Sequence, residues 1–245
     1  MRKTAFYSFV ALCAFASLTS VADHHEAGKA REILKKADAK IKAIDAVAYD
    51  VTVEPGGMML RRGGAAKGKG MMFGWNGGGP ERFYAAAKTT RGDGQEVNVE
   101  GGGDGESFYL IDHTNKKAYE DMDPGVMGSS GRILNGMGML EYVHNAPFDD
   151  EINAEVAEYQ GMESIEGVEC HKVRVEYAGG LGESIWYFGK DDYLPRRRVR
   201  LFERGGESGS LTITIANLEV NPKEDRSLYR LKLPKGYEQI DDFAP

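Results

Sequence analysis

From Val156 onward the chain is a succession of short apolar–polar runs cut by turn residues, and this punctuation restricts the fold more than any other feature. Val156 to Ser164, Val168 to Tyr177, Ser184 to Phe188, Arg196 to Glu203, Leu211 to Val220 and Leu228 to Leu233 read as strands. Between them stand Glu166-Gly167, Gly179-Gly180, Gly189-Lys190-Asp191-Asp192, Gly205-Gly206 and Asn221-Pro222. Short strands at near-even spacing with short turns predict a meandering antiparallel sheet. Within Leu211 to Val220, Leu211, Ile213 and Ile215 fall on one side and Thr212 and Thr214 on the other. One face of the sheet is therefore buried and one is wet.

The first half mixes periods. Gly28 to Ile44 reads as a helix, with Ala30, Ile33, Leu34, Ala37, Ile41 and Ile44 on one stripe and lysines opposite. The period then switches to two at Val47, Tyr49, Val51 and Val53, the mark of a half-buried strand, which Pro55-Gly56-Gly57 is expected to end. The glycine-rich stretch of about 55–80 has little pattern and reads as a long mobile loop or a loose hairpin. Arg82 to Lys88, Ser107 to Asp112 and Lys117 to Glu120 look like strands, with turn chemistry at Gly92-Asp93-Gly94 and Gly101 to Gly105.

A second helix is expected after Ser129 or Ser130, with Ile133, Leu134, Met137, Leu140 and Val143 as its apolar stripe. Gly136 and Gly138 soften it by roughly 1 kcal/mol each relative to alanine. Pro147 interrupts it, before a short helical turn over Asp149 to Ile152. The fold class is mainly β with a few helices, α+β.

Residues 1–22 read as a cleavable secretory signal: Arg2 and Lys3, a charge-free run from Ala5 to Leu18, then small residues at Ser20 and Ala22 before the cut. The run is shorter than the roughly 20 residues a membrane-spanning helix needs. Cleavage after Ala22 leaves residues 23–245 as one domain, long enough for a sizeable core. Removing Arg2 and Lys3 from 31 basic residues leaves 29 against 38 acidic ones, a net charge of −9. A nucleic-acid partner would call for a basic face, so none is expected. Of the two cysteines, Cys13 leaves with the signal, and Cys170 alone allows no internal disulfide. Gly-x-Ser-x-Gly, His-Glu-x-x-His, Gly-x-Gly-x-x-Gly and phosphate-loop patterns are all missing, so neither an enzyme nor a cofactor is expected.

Several segments together resemble a known family. Gly161-Met162-Glu163-Ser164-Ile165-Glu166-Gly167-Val168-Glu169-Cys170 is similar to one of its hairpins. Ile185-Trp186-Tyr187-Phe188 with Asp192-Tyr193-Leu194-Pro195-Arg196-Arg197 is similar to the strand pair that follows. Asp104-Gly105-Glu106 before Phe108-Tyr109 resembles an earlier strand, and Asn217 to Pro222 with Leu233-Pro234-Lys235-Gly236-Tyr237 is like its close. Their order resembles the periplasmic lipoprotein-carrier superfamily, the LolA/LolB/LppX-like fold. The resemblance implies a periplasmic protein built as one strongly curved antiparallel sheet, a half-barrel, with helices plugging the concave side. It also implies a cavity for lipoprotein acyl chains or another hydrophobic ligand beneath them.

An acyl cavity has physical requirements. At about 0.8 kcal/mol per buried CH₂, a C16 chain needs on the order of 12 kcal/mol of apolar shelter to leave a bilayer. Met137, Met139, Leu140 and Tyr142 suit a mobile lid, since methionine repacks around variable shapes. Tyr49, Val51, Phe83, Phe108, Trp186 and Phe188 are the candidate wall beneath it. The same residues would equally make a closed core, leaving an envelope protein-interaction or stress-sensing module that carries nothing. Arg196, Arg198 and Arg200 share a strand face, as a dock for anionic headgroups or as partners of nearby carboxylates. Arg61, Arg62, Lys67 and Lys69 offer transient contact with a membrane surface. Finally, cleavage would expose Asp23-His24-His25, whose amine, backbone nitrogens and imidazole can form a square-planar site for Cu(II) or Ni(II).

Overall fold

The computed structural model describes residues 14–62, 64–75, 77, 79–90, 94–122, 134, 136–180 and 182–241. The start of the signal sequence, and Ser129 to Ile133 of the expected second helix, lie outside the described residues. Helix α1 covers Ala14–Ile41, so its backbone runs through the expected cleavage point. Its stripe is the one read from the periodicity: Ala30, Ile33, Leu34, Ala37 and Ile41 are buried, and Ile44 packs beside them. Among the described residues no helix is long and apolar enough to cross a membrane.

Twelve strands form one open, curved sheet: β1 Ala46–Gly57, β2 Ala66–Phe73, β3 Arg82–Thr90, β4 Glu96–Gly103, β5 Phe108–Asp112, β6 Lys117–Asp121, β7 Val156–Ile165, β8 Val168–Glu176, β9 Glu183–Gly189, β10 Pro195–Arg204, β11 Glu207–Val220 and β12 Glu238–Gln239. Their order is β12-β6-β5-β4-β3-β2-β1-β11-β10-β9-β8-β7, antiparallel throughout except for β12 beside β6. Two meanders, β1 to β6 and β7 to β11, thus join where β1 pairs with β11. A four-residue helix, α2, spans Asp149–Ile152 as expected. The fold is the α+β half-barrel. One continuous core lies on its inner face, where α1 and the segment from Leu134 to Phe148 meet inward side chains of both wings.

Three expectations need correction. Of the two readings of the glycine-rich stretch, the hairpin holds over residues 66–73 and the mobile loop does not. There β2 pairs residue for residue with β1 from Ala46↔Phe73 to Val53↔Ala66, and β1 itself runs through Pro55-Gly56-Gly57, which the sequence predicts to end it. The glycines in β2 are spacers between strands, not turn residues. A Cβ on Gly68 would fall 1.8 Å from the Ala86 carbonyl oxygen, and one on Gly70 2.6 Å from the Tyr49 ring.

Gly101 to Gly103 are likewise strand, the buried end of β4. A Cβ on Gly102 would press at 2.9 Å on the Leu228 and Phe83 oxygens, and one on Gly103 at 2.6 Å on the Phe108 ring. Crowding, rather than chain reversal, explains Gly102 and Gly103.

The stretch from Leu228 to Leu233 is not a strand. The chain makes a 3-10 turn at Arg226–Tyr229 and crosses the outer face of the β2–β6 wing, covering Phe73, Tyr109 and Ile111 with Tyr229, Leu231 and Tyr237. The Tyr109 hydroxyl donates to the Leu228 carbonyl at 2.7 Å, and Arg82 and Arg230 pair with Glu224 and Asp104 at 2.6 and 2.8 Å. That wing is therefore covered on both faces.

Candidate functional site

The inner wall is aromatic at β1 and β9. Tyr49 and Val51 come from β1, and Trp186 and Phe188 stack at 5.9 Å on β9, two residues apart and so on one face. Phe148, on the covering segment, sets its edge against both rings at 5.2 Å. Gly70 makes room for Tyr49 on the neighbouring strand. Phe83 packs against the same core and faces Phe108 across Gly103, ring centroids 6.1 Å apart, with both half-buried.

The covering segment is irregular in its described part. Leu134 is helical, Leu140–Tyr142 forms a single 3-10 turn, and Met137, Met139, Tyr142 and Phe148 are buried against the wall. Leu140 points the other way, 47% exposed. Without a regular helix the backbone groups of this segment need other partners, and Tyr49 supplies two. Its hydroxyl donates to the Met137 carbonyl at 3.1 Å and accepts the Met139 amide at 3.0 Å. Burial pushes the Tyr49 phenol above its ordinary pKa, so it keeps its proton and the donor role. Tyr142, at 5.7 Å from the Tyr49 ring, donates its hydroxyl to the Pro195 carbonyl.

Of the ten wall and lid candidates, then, Tyr49, Val51, Met137, Met139, Tyr142, Trp186 and Phe188 are brought into one buried cluster. Phe83 borders it, Phe108 stands two strands further out, across β4, and Leu140 faces away. Among the described residues the two halves touch: the cover fills the concave space that the wall encloses.

At the edge of this cluster lies a polar pocket of about 250 Å³ between cover and wall. Glu141 forms an ion pair with Arg198, whose guanidinium lies 5.2 Å over the Trp186 ring. Glu151 is buried on α2 and accepts a 2.7 Å hydrogen bond from Tyr177. Burial raises the Glu151 carboxyl above its usual range, more than the tyrosine hydrogen bond lowers it. Phe148 and Glu151 escaped the sequence reading. Phe148 follows directly on the helix-breaking Pro147, and Glu151 stands beside the acid pair Asp149-Asp150, which reads as solvated.

Three arginines of the run are engaged internally, while Arg200 stands exposed over the Phe202 ring. Arg196 pairs with Asp192 at 2.5 Å, Arg198 with Glu141, and Arg197 donates to the Thr214 hydroxyl at 3.0 Å while lying over Tyr187. Arg61 pairs with Glu207 at 2.6 Å, and Lys67 and Lys69 stand exposed on β2. Cys170 is buried, donates to the Val168 carbonyl at 3.3 Å, and has its thiol pushed up to about 11 by burial. Such a thiol is a poor nucleophile at neutral pH. The backbone of Asp23-His24-His25 lies inside α1 in the uncut chain, so a square-planar site there belongs to a cleaved terminus. Among the described residues no three His, Cys, Asp or Glu side chains are grouped to hold a metal ion.

Solved structures similar to this chain include LprF from Mycobacterium bovis, at 14% identity and a TM-score of 0.49, covering 86% of this chain and 98% of that one. The Mycobacterium tuberculosis lipoprotein LppX follows at 14% identity and 0.47, covering 81% and 98%. MucB, in the Pseudomonas aeruginosa MucA/MucB complex, is similar at 10% identity and 0.46, over 83% of this chain and 61% of that one. No family model and no curated protein matches the chain.

Proposed function

We propose that this chain is a non-enzymatic carrier, exported to the periplasm after cleavage behind Ala22, that shelters an acyl chain or another elongated hydrophobic ligand on the concave face of its sheet. One observation carries the reading: the wall of Tyr49, Val51, Trp186 and Phe188 is covered by a methionine-bearing segment that, among the described residues, follows Gly136 with an irregular path and a single 3-10 turn at Leu140–Tyr142. Among the described residues the polar ties between cover and sheet are few. They are the two bonds at Tyr49, one from Tyr142 to Pro195, and the Glu141–Arg198 pair. Each neutral bond contributes about 1 kcal/mol net. A C16 chain entering the space brings on the order of 12 kcal/mol of apolar burial, enough to displace the cover and take over the contacts of Met137 and Met139.

The test is organic extraction of the purified protein with mass spectrometry of the extract, beside uptake of a fluorescent fatty acid. Co-purified lipid, or saturable uptake weakened by Trp186→Ala, supports carriage. A protein that holds no lipid and takes up no probe carries nothing.

The second reading, an envelope protein-interaction module, is favoured by the filled interior, since a packed half-barrel can present surfaces without opening. It predicts the opposite result in the same assay.

A further inference from the structure

One end of the sheet, where β1 and β10 finish, carries an open groove of about 590 Å³ that lies apart from the wall and lid residues. Its apolar floor comes from Met58 and Met59, in the 3-10 turn after β1, and from Phe202 of β10. A glycine seats them. Gly209 is the β11 partner of Phe202, and a Cβ there would fall 2.6 Å from Met58 Cγ and 3.1 Å from Met59 Cγ. Without a side chain at this position, both methionines lie down against the strand. Leu60 follows them at 60% exposure.

The border of the groove is acidic. Glu155, Glu176, Glu183 and Glu203 line it, with Arg204 as the one cation among its described lining residues, and Arg200 lies 5.3 Å over the Phe202 ring. Arg174 holds Glu183 at 2.6 Å and Glu176 at 3.1 Å, yet the same guanidinium also reaches Glu158 at 3.8 Å. One cation is thus shared by three carboxylates. Glu155 and Glu203 stand exposed beside the floor.

The two properties select one kind of occupant. Methionine and phenylalanine side by side accept apolar side chains of varied shape, while a carboxylate border attracts cations and repels a fatty-acid or phosphate headgroup. We infer that this groove is a docking site for a cationic amphipathic peptide segment of a partner protein. An apolar side chain rests on Met58, Met59 and Phe202, and flanking lysine or arginine residues meet Glu155 and Glu203. The site is separate from the proposed ligand chamber, and its use does not depend on carriage.

A fluorescent peptide of alternating lysine and leucine, titrated with the full chain at low salt, tests this beside glutamate–leucine and lysine–serine peptides. The lysine–leucine peptide is expected to bind at least about tenfold more tightly than either control, and to weaken by roughly the same factor near 0.5 M salt, where the Debye length is short. The double variant Glu155→Lys with Glu203→Lys, both at exposed positions, is expected to lose at least about tenfold with an unchanged circular dichroism spectrum. The same charge change at Glu238 and Asp241, at the far edge of the sheet, should leave binding as it was. Equal affinity for the three peptides overturns the inference, as does equal loss in both double variants or a groove variant that binds like the parent.

Discussion

The Tyr49 hydroxyl accepts the amide hydrogen of Met139 at 3.0 Å, joining a β-strand to an irregular segment 90 residues further along the chain. Both groups are buried, so the bond stands in for the backbone partner a regular helix would have provided. Tyr49→Phe keeps the ring against Tyr142 but leaves the Met139 amide without an acceptor. We expect a loss of about 1–3 kcal/mol, with faster hydrogen exchange confined to Met137–Tyr142 and quicker uptake of a fluorescent fatty acid. Unchanged exchange in that segment would show that the hydroxyl does not hold the cover.

Gly70 controls the same ring from below. A methyl group there falls 2.6 Å from Tyr49, closer than a Cβ contact can be. Gly70→Ala should therefore push the ring out of place and destabilise the fold by roughly 1–3 kcal/mol, read as a lower urea midpoint with an unchanged slope. Gly28→Ala is the control: a Cβ at this helix position meets nothing within 4 Å, and the change should be neutral or stabilising.

Glu151 gives the protein a pH signature. Burial raises its folded pKa above the ordinary 4.5, so between these two values the folded state binds the proton more tightly. Stability on this account falls as pH rises from 4.5 through the folded pKa, and the penalty stays constant above it. Glu151→Gln keeps an oxygen for the Tyr177 hydroxyl and removes the ionisation. Its melting temperature relative to the parent should be more favourable at pH 7 than at pH 4. A relative loss that is larger at pH 7 would contradict the assignment.

Cys170 should be slow to react. With its thiol pushed up to about 11 and its side chain buried, little thiolate is present or reachable at pH 8. Iodoacetamide labelling followed by peptide mapping, which distinguishes Cys170 from Cys13, should show modification of Cys170 only once denaturant unfolds the chain. Rapid labelling of the native protein would place the thiol at the surface.

Most of β7 to β11 was legible in the sequence because the information there is local. Glu166 and Gly167, Gly205 and Gly206, and Asn221 all adopt positive φ in the structure, so the residues that mark the turns are the residues the backbone requires. The stripe of α1 was legible for the same reason: its period is intrinsic to the helix and its buried positions follow from it. The wall residues could be named, but their closeness to the cover could not. Tyr49 and Met139 make no pattern together until the fold brings them side by side.

The amino-acid sequence by itself determined the strand meander of the second half, the helix before it, and the mainly β class. Each depends on side-chain alternation and turn conformations within a few residues. Only the tertiary structure decided that Gly68, Gly70, Gly102 and Gly103 lie inside strands, since their reason is the nearness of atoms far away in the chain or on other strands. It alone also decided that residues 228–233 wrap the outer face, that β1 closes on β11, and that Glu151 is buried within an acidic run. Pairing and burial are properties of residues far apart in the chain. A local pattern says which face a side chain shows, and the assembled sheet says what that face meets.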